Sequence, residues 1–270
     1  MLKEVRVSSM KLGVNIDHVA VLREARRVND PDILEALSVA CASGADQITI
    51  HLREDRRHIQ DIDAKNIMMH SKLPVNLECS INKDILNIVS VLKPHRATLV
   101  PEKREEVTTE GGLDLFKHKD EIAFAIEQLH DSIIPVSLFV DPTIEAMEMA
   151  KELGAEMVEL HTGLFANLFA MLNSNLPHSN HSIKELMLPR YELASRLEHS
   201  LEALQNAATH AQKLGLEVAA GHGLNYHNVS YMMSIKEITE LNIGQSIVAR
   251  GVFCGLAEAI KEMRRLTQRA

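Results

Sequence analysis

Eight short β-type runs alternate with longer helical patterns along the chain, and this rhythm constrains the fold more than any other feature. The runs fall at Leu12–Ile16, Gln47–Leu52, Pro74–Cys79, Arg96–Pro101, Ile134–Val140, Met157–Thr162, Glu217–His222 and Glu240–Gln245. Every gap is long enough for a crossover helix, so neighbouring strands are expected to run parallel. Eight units without a break in composition predict an α/β fold, a (β/α)8 TIM barrel with additional helices; an open doubly wound sheet shares the same periodicity. The 270 residues suit one such domain. Residues 1–10 read as a short N-terminal tail and 11–270 as a single barrel catalytic domain. Within it, 167–200 is an extended loop or helical insertion after the sixth strand.

Helix punctuation agrees with this division. Asp30-Pro31 and Asp141-Pro142 each offer an N-cap followed by proline at the first helical position. Gly44, Gly154 and Gly215 then stop helices. Each of these glycines is followed seven positions later by a histidine: His51, His161 and His222. The glycine turns the chain, a strand follows, and the histidine lands at the strand's C-terminal end, where barrel enzymes hold their chemistry.

Alternation along the strands decides which side chains face the axis. Ile48, Ile50 and Leu52 share one face, which sets Thr49, His51 and Arg53 on the other. Likewise Val75, Leu77 and Cys79 oppose Asn76 and Glu78, Val158 and Leu160 oppose Glu159 and His161, and Val14 and Ile16 oppose Asn15 and Asp17. The apolar set must meet the helices, so the polar set points inward. Unpaired charge is costly to bury, and several such groups converging on one end of a barrel read as an active site.

The chemistry these residues can perform is proton transfer. His51 and Glu78 end adjacent strands and suit a general-base pair. Glu159 and His161 both add an acid/base or electrostatic element on strand six, and the register alone does not choose between them. His222, within Ala-Gly-His-Gly, faces the same mouth. The loops after strands seven and eight, with Gly223, Gly244 and Gln245, stand where barrels bind phosphate. Arg53, His58 and Thr108 offer a second anion site; Glu54, Arg56 and Arg57 suit a solvated loop, and Arg26 either reaches an anion or lies on the surface. There is no HxH, HExxH or CxxC spacing among the fourteen histidines and three cysteines, so no metal is expected.

Composition excludes several other classes. The net charge of −8 disfavours a general nucleic-acid or anionic-membrane surface, and the absence of tryptophan removes the usual stacking platform for single strands. Three distant cysteines make no disulfide framework, and the opening segment lacks a signal-peptide core, which together point to the cytoplasm.

Seven strings then carry a resemblance: Leu-Gly-Val-Asn-Ile-Asp-His (12–18), Thr-Ile-His-Leu-Arg-Glu-Asp-Arg-Arg-His-Ile (49–59), Asn-Leu-Glu (76–78), Leu-Val-Pro-Glu-Lys-Arg-Glu-Glu-Val-Thr-Thr-Glu-Gly-Gly-Leu-Asp (99–114), Glu-Leu-His-Thr-Gly (159–163), Ala-Gly-His-Gly-Leu-Asn-Tyr-His-Asn-Val (220–229) and Glu-Leu-Asn-Ile-Gly (240–244). In this order they closely resemble the pyridoxine 5′-phosphate synthase family of vitamin B6 biosynthesis. The resemblance implies a transferase that condenses 1-deoxy-D-xylulose 5-phosphate with 3-amino-2-oxopropyl phosphate to give pyridoxine 5′-phosphate, phosphate and water. It implies no metal, no organic cofactor, and a homo-octamer built from dimers. His51 and Glu78 match the family's proton acceptors, His222 its proton donor, and Glu159 a transition-state stabiliser. Asp17, His18, Arg53, His58 and Thr108 match contacts to the deoxyxylulose phosphate; Asn15, Arg26, Gly223 and Gly244 match contacts to the aminoketone phosphate. The chemistry would benefit from closure of the loop around Thr108–Gly112, which would exclude water.

Two departures stand out. Gln245 replaces the histidine more usual in the family, and the segment after strand six is longer than the family pattern by roughly twenty residues, where barrel loops are usually short. Its polar string, Asn-Ser-Asn-Leu-Pro-His-Ser-Asn-His-Ser, reads as a surface excursion rather than a lid. A metal-dependent sugar-phosphate isomerase or epimerase on the same barrel, and a non-catalytic phosphometabolite-binding barrel, are the competing readings.

Overall fold

The structure is a computed structural model that describes residues 10–103, 106, 108 and 111–268. Eight strands, β1 (Lys11–Asn15), β2 (Gln47–His51), β3 (Val75–Cys79), β4 (Arg96–Leu99), β5 (Val136–Val140), β6 (Met157–His161), β7 (Glu217–Gly221) and β8 (Glu240–Ile243), close in sequence order into a parallel barrel, with β8 paired to β1. The closed ring rules out the open sheet, and each strand lies within one or two residues of its expected bounds. Around it run α1 (Asp17–Glu24), α2 (Ile33–Ser43), α3 (Asp61–His70), α4 (Lys83–Leu92), α5 (Lys119–Asp131), α6 (Ile144–Glu152), α7 (Gly163–Asn173), α8 (Arg190–Lys213), α9 (Val229–Met233), α10 (Gln245–Cys254) and α11 (Leu256–Leu266). Of the expected N-terminal tail, residues 1–9 lie outside the described residues; Met10 is buried in the core.

Two helix starts differ from expectation for one reason. The residue after the proline, not the aspartate before it, is the cap. Asp32 accepts the amide of Leu34 at 2.9 Å, and Thr143 accepts that of Ala146 at 3.1 Å. Pro31 and Pro142 therefore sit ahead of their helices, leaving Asp141 free for other work. The helix stops hold: Gly44, Gly154 and Gly215 have φ of +107°, +90° and +78°, values that favour glycine. At the first strand, Asp17 is no strand residue but the first of α1, and Gln245 likewise opens α10 rather than closing β8.

The apolar parity meets the helix layer, with Ile48, Ile50, Leu52, Leu77, Val158 and Leu160 fully buried. The barrel interior is polar through its depth. At the floor, Arg96 forms an ion pair with Glu240, and Gln47 joins it by accepting from Arg96 Nη2 at 3.2 Å and donating to Glu240 Oε1 at 3.1 Å. Above, Thr49 donates to Asn242 Oδ1 at 3.2 Å and Thr98 to Asn76 Oδ1 at 2.7 Å. Inward polarity alone thus does not mark an active site: Thr49 and Asn76, read from sequence with the mouth residues, belong to this scaffold.

Candidate active site

At the C-terminal ends of the strands the barrel opens into a cavity of about 960 Å³. Parallel register sets His51 beside Glu78, with His51 Nδ1 3.9 Å from Glu78 Oε2. The other ring nitrogen, Nε2, lies 2.9 Å from Glu102 Oε1 in the segment after β4. A carboxylate can only accept, so Nε2 carries the hydrogen and Nδ1 is left as an acceptor towards Glu78. Glu102 is itself fixed by the Glu54 amide at 2.9 Å. Its burial works against charge, but the hydrogen bonds from His51 and Glu54 and the charge of Arg53 outweigh it and hold its pKa below the ordinary range.

At the mouth carboxyls the compensation falls short of the burial. Burial pushes Glu78 well above the usual carboxyl range, and the neighbouring charges of Glu159 and Asp17 push the same way. Glu159 is raised to about 7, again chiefly by burial, against the opposing hydrogen bond from Asn242 Nδ2 at 2.7 Å. No side chain fits at Gly221, where a Cβ would overlap Glu159 Oε1. Asp17 is raised to about 6 by burial although it accepts from the His51 amide at 3.0 Å and from Asn15 Nδ2 at 2.9 Å.

On the far side, His222 has φ +76°, a strained value for a side chain with a Cβ. The Thr162 hydroxyl, within hydrogen-bond distance of the His222 and Gly221 carbonyls (2.5 and 2.7 Å), holds that turn. Burial, then the neighbouring His161, lowers the pKa of the His222 imidazole. Beside it, Gly223, Gly244, Gln245 and Ser246 line the cavity at the start of α10, whose first amides face that way.

Of the residues singled out from sequence, Asn15, His18, His51, Arg53, Glu78, Glu159, His222, Gly223, Gly244 and Gln245 line this cavity. Asp17 stands just behind Asn15 and His51. Three others are not brought to its wall. Arg26 is exposed in the turn after α1. His58 is buried; its Nδ1 accepts the Ile59 amide at 2.9 Å, and burial lowers its pKa to about 4, so it stays neutral. Its segment is tied to α1 by the two-pronged Arg23–Asp63 pair, with N–O distances of 2.9 and 2.6 Å. Thr108 donates to Asp141. Of the loop expected to close around Thr108–Gly112, Thr109 and Glu110 lie outside the described residues. Among those described, no group of three or more His, Cys, Asp and Glu side chains is placed to hold a metal ion.

Sequence reasoning missed Glu102 and the second role of Asp141. Both sit beyond strand ends, where alternation says nothing about direction. The Pro-Glu-Lys-Arg string did contain the signal for Glu102. The excursion after strand six also differs from its polar reading. Two short 3₁₀ turns, Leu176–His178 and Lys184–Leu186, fold it back, and Ile183 and Leu186 line the cavity. Arg190 closes its base by donating to the Leu172 carbonyl at 2.8 Å.

The family model described as "Pyridoxal phosphate biosynthesis protein PdxJ" matches residues 12–269. The chain belongs to this family. It is 77% identical over 260 residues to a pyridoxine 5′-phosphate synthase of Sulfurimonas denitrificans, covering 96% of this chain and 100% of that one. A second family member bearing that name, from Nitratiruptor, is 60% identical over 97% of this chain and 98% of its own length. Among solved structures, a thiamine phosphate pyrophosphorylase from Pyrococcus furiosus covers 97% of this chain and 96% of its own at a TM-score of 0.56 and 14% identity. A phosphoribosyl anthranilate isomerase from Thermococcus kodakaraensis covers 97% and 100% at a TM-score of 0.56 and 13% identity. These two likenesses concern the barrel alone, whereas membership of the PdxJ family spans nearly the full chain.

Proposed function

We propose that the chain is a pyridoxine 5′-phosphate synthase, joining 1-deoxy-D-xylulose 5-phosphate to 3-amino-2-oxopropyl phosphate by acid/base ring closure with release of phosphate and water. The observation that carries this reading is the pairing of His51 with Glu78 in one cavity with Glu159 and His222. Amine addition to a ketone, dehydration, phosphate loss and an aldol-type closure need repeated proton transfers on one trapped intermediate.

Each group suits its part. His51, with Nδ1 free of hydrogen, takes protons; Glu78 lies behind it as the second acceptor. Glu159, raised to about 7, gives or takes a proton near neutrality and faces charge developing on the intermediate. His222 donates to the departing oxygen. Gly223 and Gly244–Gln245 anchor the aminoketone phosphate, while Arg53 and His18 face the deoxyxylulose phosphate. Gln245 donates to phosphate but adds no charge. His58, Thr108 and Arg26 belong to the reading as family contacts that would have to turn or move towards the cavity. The reading also takes the enzyme as cytoplasmic and as a homo-octamer built from dimers, acting on small phosphorylated metabolites; no described helix is long and apolar enough to cross a membrane.

Purified chain incubated with both substrates is expected to yield pyridoxine 5′-phosphate, seen by its absorbance and by stoichiometric phosphate. Folded protein that forms none overturns the assignment. Light scattering on the same sample checks the assembly.

A further inference from the structure

Two carboxylate–imidazole pairs flank the cavity. Glu102 holds His51, and Asp141 holds His161. The second pair has no part in the proton transfers above, yet it is built with equal care. His161 Nδ1 lies 3.1 Å from Asp141 Oδ1, and both side chains are less than a tenth exposed. Asp141 also accepts from the Gly112 amide at 3.1 Å and from the Thr108 hydroxyl. With Asp141 acting as acceptor throughout, His161 is fixed with its hydrogen on Nδ1, and Nε2 becomes the exchangeable nitrogen. Its ring is pressed against Gly111 and Gly163, at either of which a Cβ would overlap it.

That ring stands edge-on to His222, with centroids 5.0 Å apart and planes at 68°. Phe139 packs against both rings, with centroids 5.1 Å from His161 and 6.3 Å from His222. His161 also lines a second cavity of about 160 Å³, together with Asp141, Thr143, Ser200 and Leu204 between β5, β6 and α8, so its ring stands between two cavities. Packing alone would require neither the carboxylate nor the second imidazole. A donor such as His222 must regain a proton after each transfer, and a lowered pKa makes that recharging slow at neutral pH.

We propose that His161, oriented by Asp141, relays protons between His222 and solvent. The inference rests on the reading of His222 as the proton donor. In one step the Nε2–H bond of a charged His161 breaks and an N–H bond forms on neutral His222, directly or across one water. The Nδ1 hydrogen stays with the Asp141 pair. Neutral His161 then takes a proton from solvent at Nε2, so each turn carries one proton from solvent to His222, and His222 returns to neutral when it donates that proton to the intermediate.

The test compares wild type with His161→Phe, which keeps an aromatic ring, with Asp141→Asn, and with the double variant. The relay predicts that kcat falls roughly 10- to 100-fold in each single variant while KM for both substrates stays within about twofold. The double variant should be no worse than the poorer single one, because the two residues act as a unit. His161→Ala should regain activity with added azoles, and the regained rate should follow their basicity. Full kcat in folded His161→Phe, or rescue that ignores azole basicity, overturns the relay and leaves the synthase reading intact. If wild type forms no product, the synthase reading itself fails.

Discussion

The floor and the mouth of this barrel are built from the same kinds of residue on the same strands, yet they differ in what is left over. At the floor, Glu240 has a cation: Arg96 forms an ion pair with it, and Gln47 fills the remaining positions. One layer higher, Glu78 and Glu159 have no cation in hydrogen-bond contact among the described residues, and both are raised in pKa, primarily by burial. Asn242 bridges the layers, touching Gln47 and Thr49 below through Oδ1 and Glu159 above through Nδ2. A carboxylate satisfied by a guanidinium is scaffold; a carboxyl denied one has a reason to exchange protons.

That contrast can be broken at either layer. The largest effect is expected at the mouth. Glu78→Gln should lower kcat by roughly 10²- to 10⁴-fold while the denaturation midpoint holds or rises, because a buried, uncompensated carboxyl has been made neutral. A kinetic trace beside a denaturant titration checks both halves. At the floor the pattern should invert. Arg96→Met leaves Glu240 buried without its partner and should cost about 3–5 kcal/mol of stability, with turnover per folded molecule little changed.

Smaller effects sharpen the picture. Glu102→Gln removes the charge that orients His51 and should reduce kcat by about 10²-fold or less, with KM nearly constant. Glu159 supplies a test by linkage. Its folded pKa of about 7 lies above the ordinary value of 4.5, so the folded state binds the extra proton between these values. Stability should therefore fall as pH rises from about 4.5 through 7, and Glu159→Gln should flatten that loss, by on the order of 1–3 kcal/mol at the alkaline end. Denaturant midpoints across this range read it directly.

Much of this was legible in the chain, for reasons that also explain what was not. Strand alternation is a local rule with period two, so it pointed His51, Glu78 and Glu159 at the axis without any structure, while the glycine-to-histidine spacing placed His222. It could not separate floor from mouth, because depth along the axis depends on the stagger between strands. Arg96, Gln47 and Glu240 therefore went unmarked as a network. Nor does it reach beyond strand ends. Glu102 and Asp141 gain their directions from turns, and Asp141 was read as a helix cap when Thr143 does that work. The excursion after strand six is polar along most of its length, and only its fold shows that Ile183 and Leu186 meet the cavity. Arg26, His58 and Thr108, read as anion contacts from their loops as well as from the family resemblance, do not stand on the cavity wall.

The difference between the layers comes down to protonation. Carbon-13 NMR of glutamate-labelled protein, titrated from pH 4 to 9 with Glu78→Gln and Glu159→Gln for assignment, measures it most directly. The account predicts that the two mouth carboxyls stay at least partly protonated at pH 6. Ionisation of both Glu78 and Glu159 at ordinary carboxyl pH would contradict it.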